Sequence, residues 1–159
     1  MVIVRAMKER ARLEGEIKNL KHRSQNCISV LDGNPFEEDF KELTETLTAR
    51  LNRLASLKNA VMKANVMHDM HKYIIELGEL KHYLVFLKEL DPKAGKQETR
   101  YSEAQNAYLS QISVKDKILA LEVTQTKINH ITDVLDEFNA KTDIGEIEEI
   151  VLNFPKIKD

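Results

Sequence analysis

Tryptophan is absent from this sequence, and cysteine, proline and glycine are scarce, with one, three and five residues among 159. The single cysteine, Cys27, excludes an intrachain disulfide and favours a reducing compartment. The longest apolar runs fall short of the eighteen residues that a membrane-spanning helix needs. Arg5, Lys8 and Arg10 interrupt the N-terminus, so we see no charged-then-apolar signal segment. These absences predict a soluble, cytoplasmic protein without a membrane partner.

Charge is plentiful but unevenly distributed. Charged residues make up 31% of the chain and aromatic residues 6%, a balance typical of long solvated helices rather than of a sandwich or a doubly wound sheet. Residues 1–31 hold seven basic and three acidic side chains, a net of +4, whereas residues 132–159 hold eight acidic and three basic, a net of −5. We therefore expect the two ends to lie near each other, within one chain or between two. The overall formal charge of −2 is too small to indicate a nucleic-acid partner.

Apolar residues recur three and four positions apart in four stretches of the chain. This spacing places a narrow apolar stripe on a helix, and such a stripe packs against another helix. We predict helices from about Val2 to Leu31, from Pro35 past Val61, over 73–90, and from residue 114 past residue 138. The first stripe consists of Ile3, Ala6, Leu13, Ile17, Leu20, Cys27 and Leu31.

Turn and capping residues predict where these helices begin and end. Asp32-Gly33 predicts the end of the first helix, and Asn34-Pro35 predicts the N-cap and first residue of the second. Ser113 and Asp116 form a pattern similar to a capping box at the start of the fourth helix. Because a short turn joins the first two long helices, they must be antiparallel neighbours.

The predicted fold is all-α. It is a long antiparallel helical hairpin packed with two further helices, like a bundle or coiled coil, with an irregular crossover before the last helix. We assign residues 1–142 to a single helical domain and residues 143–159 to an acidic C-terminal tail. The apolar run 150–154 in that tail is either a short strand or a docking segment. The stripes around Leu13, Ile17 and Leu47 exceed what two short helices cover, so we predict a homo-oligomer.

A short motif lies in the segment before the fourth helix. Arg100-Tyr101-Ser102 is followed, after six residues, by Leu109-Ser110-Gln111-Ile112-Ser113-Val114. This pattern resembles the signature of the septicolysin-like family of small, mostly bacterial helical proteins, and the resemblance extends over about residues 3–142. The family also has an Asn at the end of its long second helix, matched here by Asn65, and a second Asn where this chain has Met62. The resemblance implies a helical fold and no particular reaction.

Irregular segments held by rigid helices often carry sites, and the resemblance is tightest in this one. The candidate ligand or interface residues are therefore Arg100, Tyr101, Ser102 and Asn65. An arginine beside a tyrosine suits an anionic or planar ligand, or a contact between subunits. The alternative is that Arg100 and Tyr101 fasten the irregular segment onto the helices.

Other candidates have simpler explanations. His68 and His71 are spaced like metal ligands, but no third ligand is marked, so a solvated turn is favoured and no metal or cofactor is predicted. Cys27 lies on an apolar stripe without a base to activate it, which indicates a packed small hydrophobe. The basic face of the first helix, which includes Lys8 and Arg12, lacks the Gly-rich loops and aromatics of a phosphate-binding surface.

No residue pattern in the sequence indicates catalysis. We predict a non-enzymatic helical protein that acts by self-assembly or partner binding. The alternative is a module that binds or sequesters a small anionic metabolite or nucleotide at a subunit interface.

Overall fold

The computed structural model of this protein describes residues 1–96 and 107–155. Within that part of the chain there are four α-helices, and strand is limited to one pair of two-residue segments, which confirms the all-α class. The chain forms two compact units. The helices are α1 (Ile3–Asn26), α2 (Phe40–Met67), α3 (Met70–Glu89) and α4 (Val114–Lys141), and the strands are β1 (Gly95–Lys96) and β2 (Ala107–Tyr108).

The first unit contains Met1–Asp69 and the described chain from Phe138 onward, and it is built on the α1–α2 hairpin. Leu13 in the first half of α1 shares a buried cluster with Leu54 and Leu57 in the second half of α2. Leu20 near the end of α1 instead shares a cluster with Leu43 near the start of α2. The two helices are therefore antiparallel neighbours, as the sequence predicted.

The connection between α1 and α2 is longer than predicted. The helix α1 ends at Asn26 rather than at Leu31, and α2 begins at Phe40 rather than at Pro35. Asp39, not Asn34, is the N-cap, and its Oδ1 accepts a hydrogen bond from the Glu42 amide at 3.0 Å. Leu31 is 79% exposed, so another turn of α1 would bury nothing that offsets its conformational entropy.

The C-terminal segment contacts this hairpin in two places. Ile3 N donates to Thr142 O at 3.0 Å and Ile144 N donates to Met1 O at 2.9 Å, so the oppositely charged ends lie near each other within one chain. Further along, Ile150 N donates to the Ser56 hydroxyl at 2.8 Å. Residues 150–154 form no strand, and Leu152 N donates to Asn52 Oδ1 at 3.1 Å, so the backbone of this run is hydrogen-bonded to side chains of α2. The division at residue 142 between a domain and a tail stays a prediction.

The second unit contains the described residues of Met70–Glu137. The predicted capping box is present at the start of α4, because the Ser113 hydroxyl accepts from the Asp116 amide at 3.1 Å and the Asp116 carboxylate accepts from the Ser113 amide at 3.1 Å. Lys117 Nζ reaches the end of α3 and donates to the Lys88 carbonyl at 3.0 Å and to the Leu90 carbonyl. A cation placed there satisfies carbonyls that the helix itself leaves free.

Candidate interaction surface

Of the four residues that the sequence proposed as a ligand or interface site, the structure describes one. Arg100, Tyr101 and Ser102 lie outside the described residues, and Asn65 is half-buried near the end of α2. Their proposed role therefore stays a prediction.

The two candidate metal ligands have separate surroundings. His68 is the C-cap of α2, and its ring meets the Phe138 ring edge-on with centroids 5.4 Å apart. His71 lies in the first turn of α3, and its Nδ1 is buried without a hydrogen-bond partner in the described residues. Within residues 1–96 and 107–155, no three His, Cys, Asp or Glu side chains are grouped as metal ligands would be.

Basic side chains of α1 pair with carboxylates on the same helix. Arg12 binds Glu9 at 2.6 Å and also contacts Glu16, and the hydrogen bond with Glu9 is the main reason that the pKa of Arg12 is raised. Arg10 Nε donates to Glu14 Oε1 at 2.9 Å, which lowers the pKa of that carboxyl. These pairs reduce the positive charge that this face offers to a phosphate.

The long apolar stripes of α1 and α2 are already covered. Leu13, Ile17 and Leu43 are buried, and Leu47 and Leu51 are half-buried against the same clusters. The hairpin and the C-terminal segment cover these stripes within one chain, so the stripes themselves do not require a second copy, and the homo-oligomer stays a prediction.

The helix α3 instead presents apolar side chains on two opposite sides. Leu84 and Leu87 are buried on one side. Six other residues of α3, named below, lie on the opposite side of the helix from this pair. Because a helix turns about 100° per residue, these six fall within about 120° of each other around the helix axis. We call this other side the outer face of α3. It consists of Ile74, Ile75, Gly78, His82, Val85 and Phe86.

The outer face is exposed although most of it is apolar. The side chains of Ile75, Val85 and Phe86 are 62%, 54% and 52% exposed, and Ile74 is 46% exposed. A β-carbon built on Gly78 meets nothing within 4 Å, so the centre of the face is open. An exposed apolar patch of this kind marks a candidate interaction surface.

Exposed apolar side chains on α4 are arranged differently. Val114 and Ile118 share one side of the helix, whereas Leu119 and Val123 share another, and all four are about half exposed. Neither pair forms a face as long as that of α3, which is the longest exposed apolar face in the part of the chain that we describe.

Residues 10–144 match the model of a family of unknown function, DUF6847. The chain belongs to this family. The DUF6847 chain is also similar in fold to a functionally unknown conserved protein from Corynebacterium diphtheriae, whose crystal structure superposes with a TM-score of 0.63. The two share 12% sequence identity over 89% of this chain and 97% of the other, so the likeness shows the fold alone. No curated protein matches the chain.

Within residues 1–96 and 107–155, no helix combines the length and the apolar character that a membrane-spanning helix needs. This holds for α3 as well, whose apolar residues are interrupted by charged ones such as Glu79 and Lys81.

Sequence reasoning missed most of the outer face. The three- and four-residue spacing in this helix predicts a single stripe that leaves out Ile75, Val85 and Phe86. That stripe is Ile74, Leu77, Leu80, Leu84 and Leu87. The missed signal was that this helix carries apolar residues on two opposite sides, whereas a helix with one buried side carries polar residues opposite its apolar stripe.

Proposed function

We propose that this DUF6847 protein is non-enzymatic and acts by self-assembly through the outer face of α3. The exposure of Ile75, Val85 and Phe86 on a helix that already buries its opposite side carries this proposal. Aromatic and branched side chains of this kind dominate the energetics of helical interfaces.

The size of the face is sufficient for a reversible assembly. Half-exposed side chains of this size leave on the order of 100 Å² each in water, so the four apolar ones present about 400 Å² per copy. Two copies would therefore bury about 800 Å² in total, which is below the about 1,200 Å² of specific, stable interfaces. An interface of this size suits a weak, reversible assembly, whose affinity depends on the quality of the contacts rather than on buried area alone.

Light scattering on purified protein tests this proposal. Ile75→Glu places a charge within the face and should lower the mass of the assembly to the 18.3 kDa of one chain. Met62→Glu is the matched control, because Met62 is 59% exposed on α2 in the first unit, close to the 62% of Ile75. An assembly that survives Ile75→Glu, or a wild-type protein that is monomeric at about 100 µM, would refute the proposal.

The ligand-binding alternative depends on Arg100, Tyr101, Ser102 and Asn65, and stays a prediction. The resemblance to the septicolysin-like family, the coiled-coil character of the hairpin and the cytoplasmic location are also predictions from sequence. Self-assembly is favoured over ligand binding because the exposed face of α3 consists of residues that the structure describes.

A further inference from the structure

The outer face of α3 has the same residue spacing in both directions along the helix. Counted from Leu80 toward the N-terminus, Gly78, Ile75, Ile74 and His71 lie two, five, six and nine residues away. Counted toward the C-terminus, the corresponding residues are His82, Val85, Phe86 and Glu89. The face is therefore symmetric about Leu80 in the positions that it uses.

A face of this kind is complementary to itself when two copies run antiparallel. A two-fold axis that crosses the outer face at the height of Leu80 relates two antiparallel helices. It places a residue of one copy level with a residue of the other when their two residue numbers sum to about 160. We propose that the partner of the outer face is α3 of a second copy, antiparallel, with Ile74 and Ile75 of each copy level with Val85 and Phe86 of the other. This inference rests on the proposed self-assembly and specifies its geometry.

Side-chain size at the centre of the face favours this arrangement. Gly78 of one copy lies level with His82 of the other, so the smallest residue of the face is opposite a large ring near the closest approach of the helices. The open space at Gly78 is then the space that the partner's imidazole occupies.

Charge at the ends of the face favours the same direction. The antiparallel arrangement places His71 of one copy level with Glu89 of the other, and an imidazole and a carboxylate are compatible neighbours. A parallel pair would instead place Glu89 level with Glu89, and like charges in an interface are unfavourable. The length of α3 is sufficient for a second helix to pack along it, since α3 has 20 residues and is about 30 Å long. The about 800 Å² that two such faces bury lies below the about 1,200 Å² of specific, stable interfaces, which is expected for a weak, reversible pair.

Two spin-label distances test the direction of the pair. Glu79 and Glu89 are both exposed glutamates on α3, one residue and nine residues from Leu80. Each is changed to cysteine and labelled in a Cys27→Ala background, and the distance between the two copies is measured by pulsed electron resonance. At 1.5 Å per residue, the antiparallel pair separates the two Glu79→Cys positions by about 3 Å along the helix axis and the two Glu89→Cys positions by about 27 Å.

The expected result is a much longer distance for Glu89→Cys than for Glu79→Cys. Suppose that the wild-type protein has the mass of a dimer and that Ile75→Glu lowers it to the mass of one chain. Equal distances at the two positions would then overturn the antiparallel geometry and leave the proposed function standing. A monomeric wild-type protein would overturn both. Light scattering on each labelled variant confirms that the label itself has not separated the copies.

Discussion

Replacing Gly78 with alanine should have opposite effects on the single chain and on the assembly. Glycine in a helix interior costs about 1 kcal/mol relative to alanine, and a β-carbon on Gly78 meets nothing within 4 Å in one copy. The unfolding free energy of the monomer should therefore rise by about 1 kcal/mol. In the antiparallel pair the same β-carbon meets the partner's His82, and overfilling of this kind costs about 1–3 kcal/mol.

The matched control is Gly15→Ala. Gly15 lies inside α1, in the first unit, and a β-carbon built on it also meets nothing within 4 Å. Both substitutions should raise the melting temperature of dilute, monomeric protein by about 2–4 °C, the shift typical of 1 kcal/mol in a chain of this length. Only Gly78→Ala should weaken association, by roughly 30-fold or more in the dimer Kd measured by sedimentation equilibrium, because the two-fold pair makes this contact twice. If both variants leave that Kd unchanged, Gly78 is not at the contact and the reasoning is refuted.

The remaining predictions concern the fold and the sequence-proposed site. Leu57→Ala should lower the unfolding free energy by about 2–5 kcal/mol in urea denaturation, because Leu57 is 1% exposed, whereas Met62→Ala should change it little. Ser113→Ala removes half of the capping box and should cost about 1 kcal/mol by the same measurement. The hydrogen bonds from Ser113 lower the pKa of Asp116 in the folded chain. The ionised Asp116 carboxylate therefore contributes its full stabilisation above the pKa of the unfolded state, and this stabilisation is lost as the pH falls through the lower pKa of the folded state. Asp116→Asn should reduce the loss of stability in acid. Arg100→Ala should either lower the mass of the assembly or, at unchanged mass, remove a co-purifying anionic molecule seen in native mass spectrometry.

Much of the first unit was predictable from sequence because its helices are amphipathic in the ordinary sense. Leu13, Ile17 and Leu20 are spaced for one narrow stripe, and all three are buried against α2. The antiparallel hairpin follows from that stripe and from the glycine turn. The capping box at Ser113 was also predictable, since it requires only two polar residues at a fixed spacing.

The helix boundaries around the turn were harder to predict. Asn34 and Asp39 are both good N-cap residues, and nothing in their local sequence shows which of them α2 uses. The choice is made by tertiary burial, because Phe40 packs against the cluster of Leu20, Cys27 and Leu43. A helix that began at Asn34 would gain no comparable contact for its first turn.

The candidate interaction surface was the part least accessible from sequence. Periodicity identifies one apolar stripe per helix, and on α3 it identified the stripe that includes Leu84 and Leu87. A second apolar stripe on the same helix weakens the 3.6-residue periodicity of the apolar residues instead of producing a separate pattern. Ile75 and Phe86 were therefore evident only from their exposure in the folded chain.

Sedimentation equilibrium of the wild-type protein from about 1 to 100 µM is the most direct test of the central claim. Self-assembly through α3 predicts an average mass that rises with concentration from 18.3 kDa toward twice that value. A mass that stays at 18.3 kDa over the whole range would contradict the account.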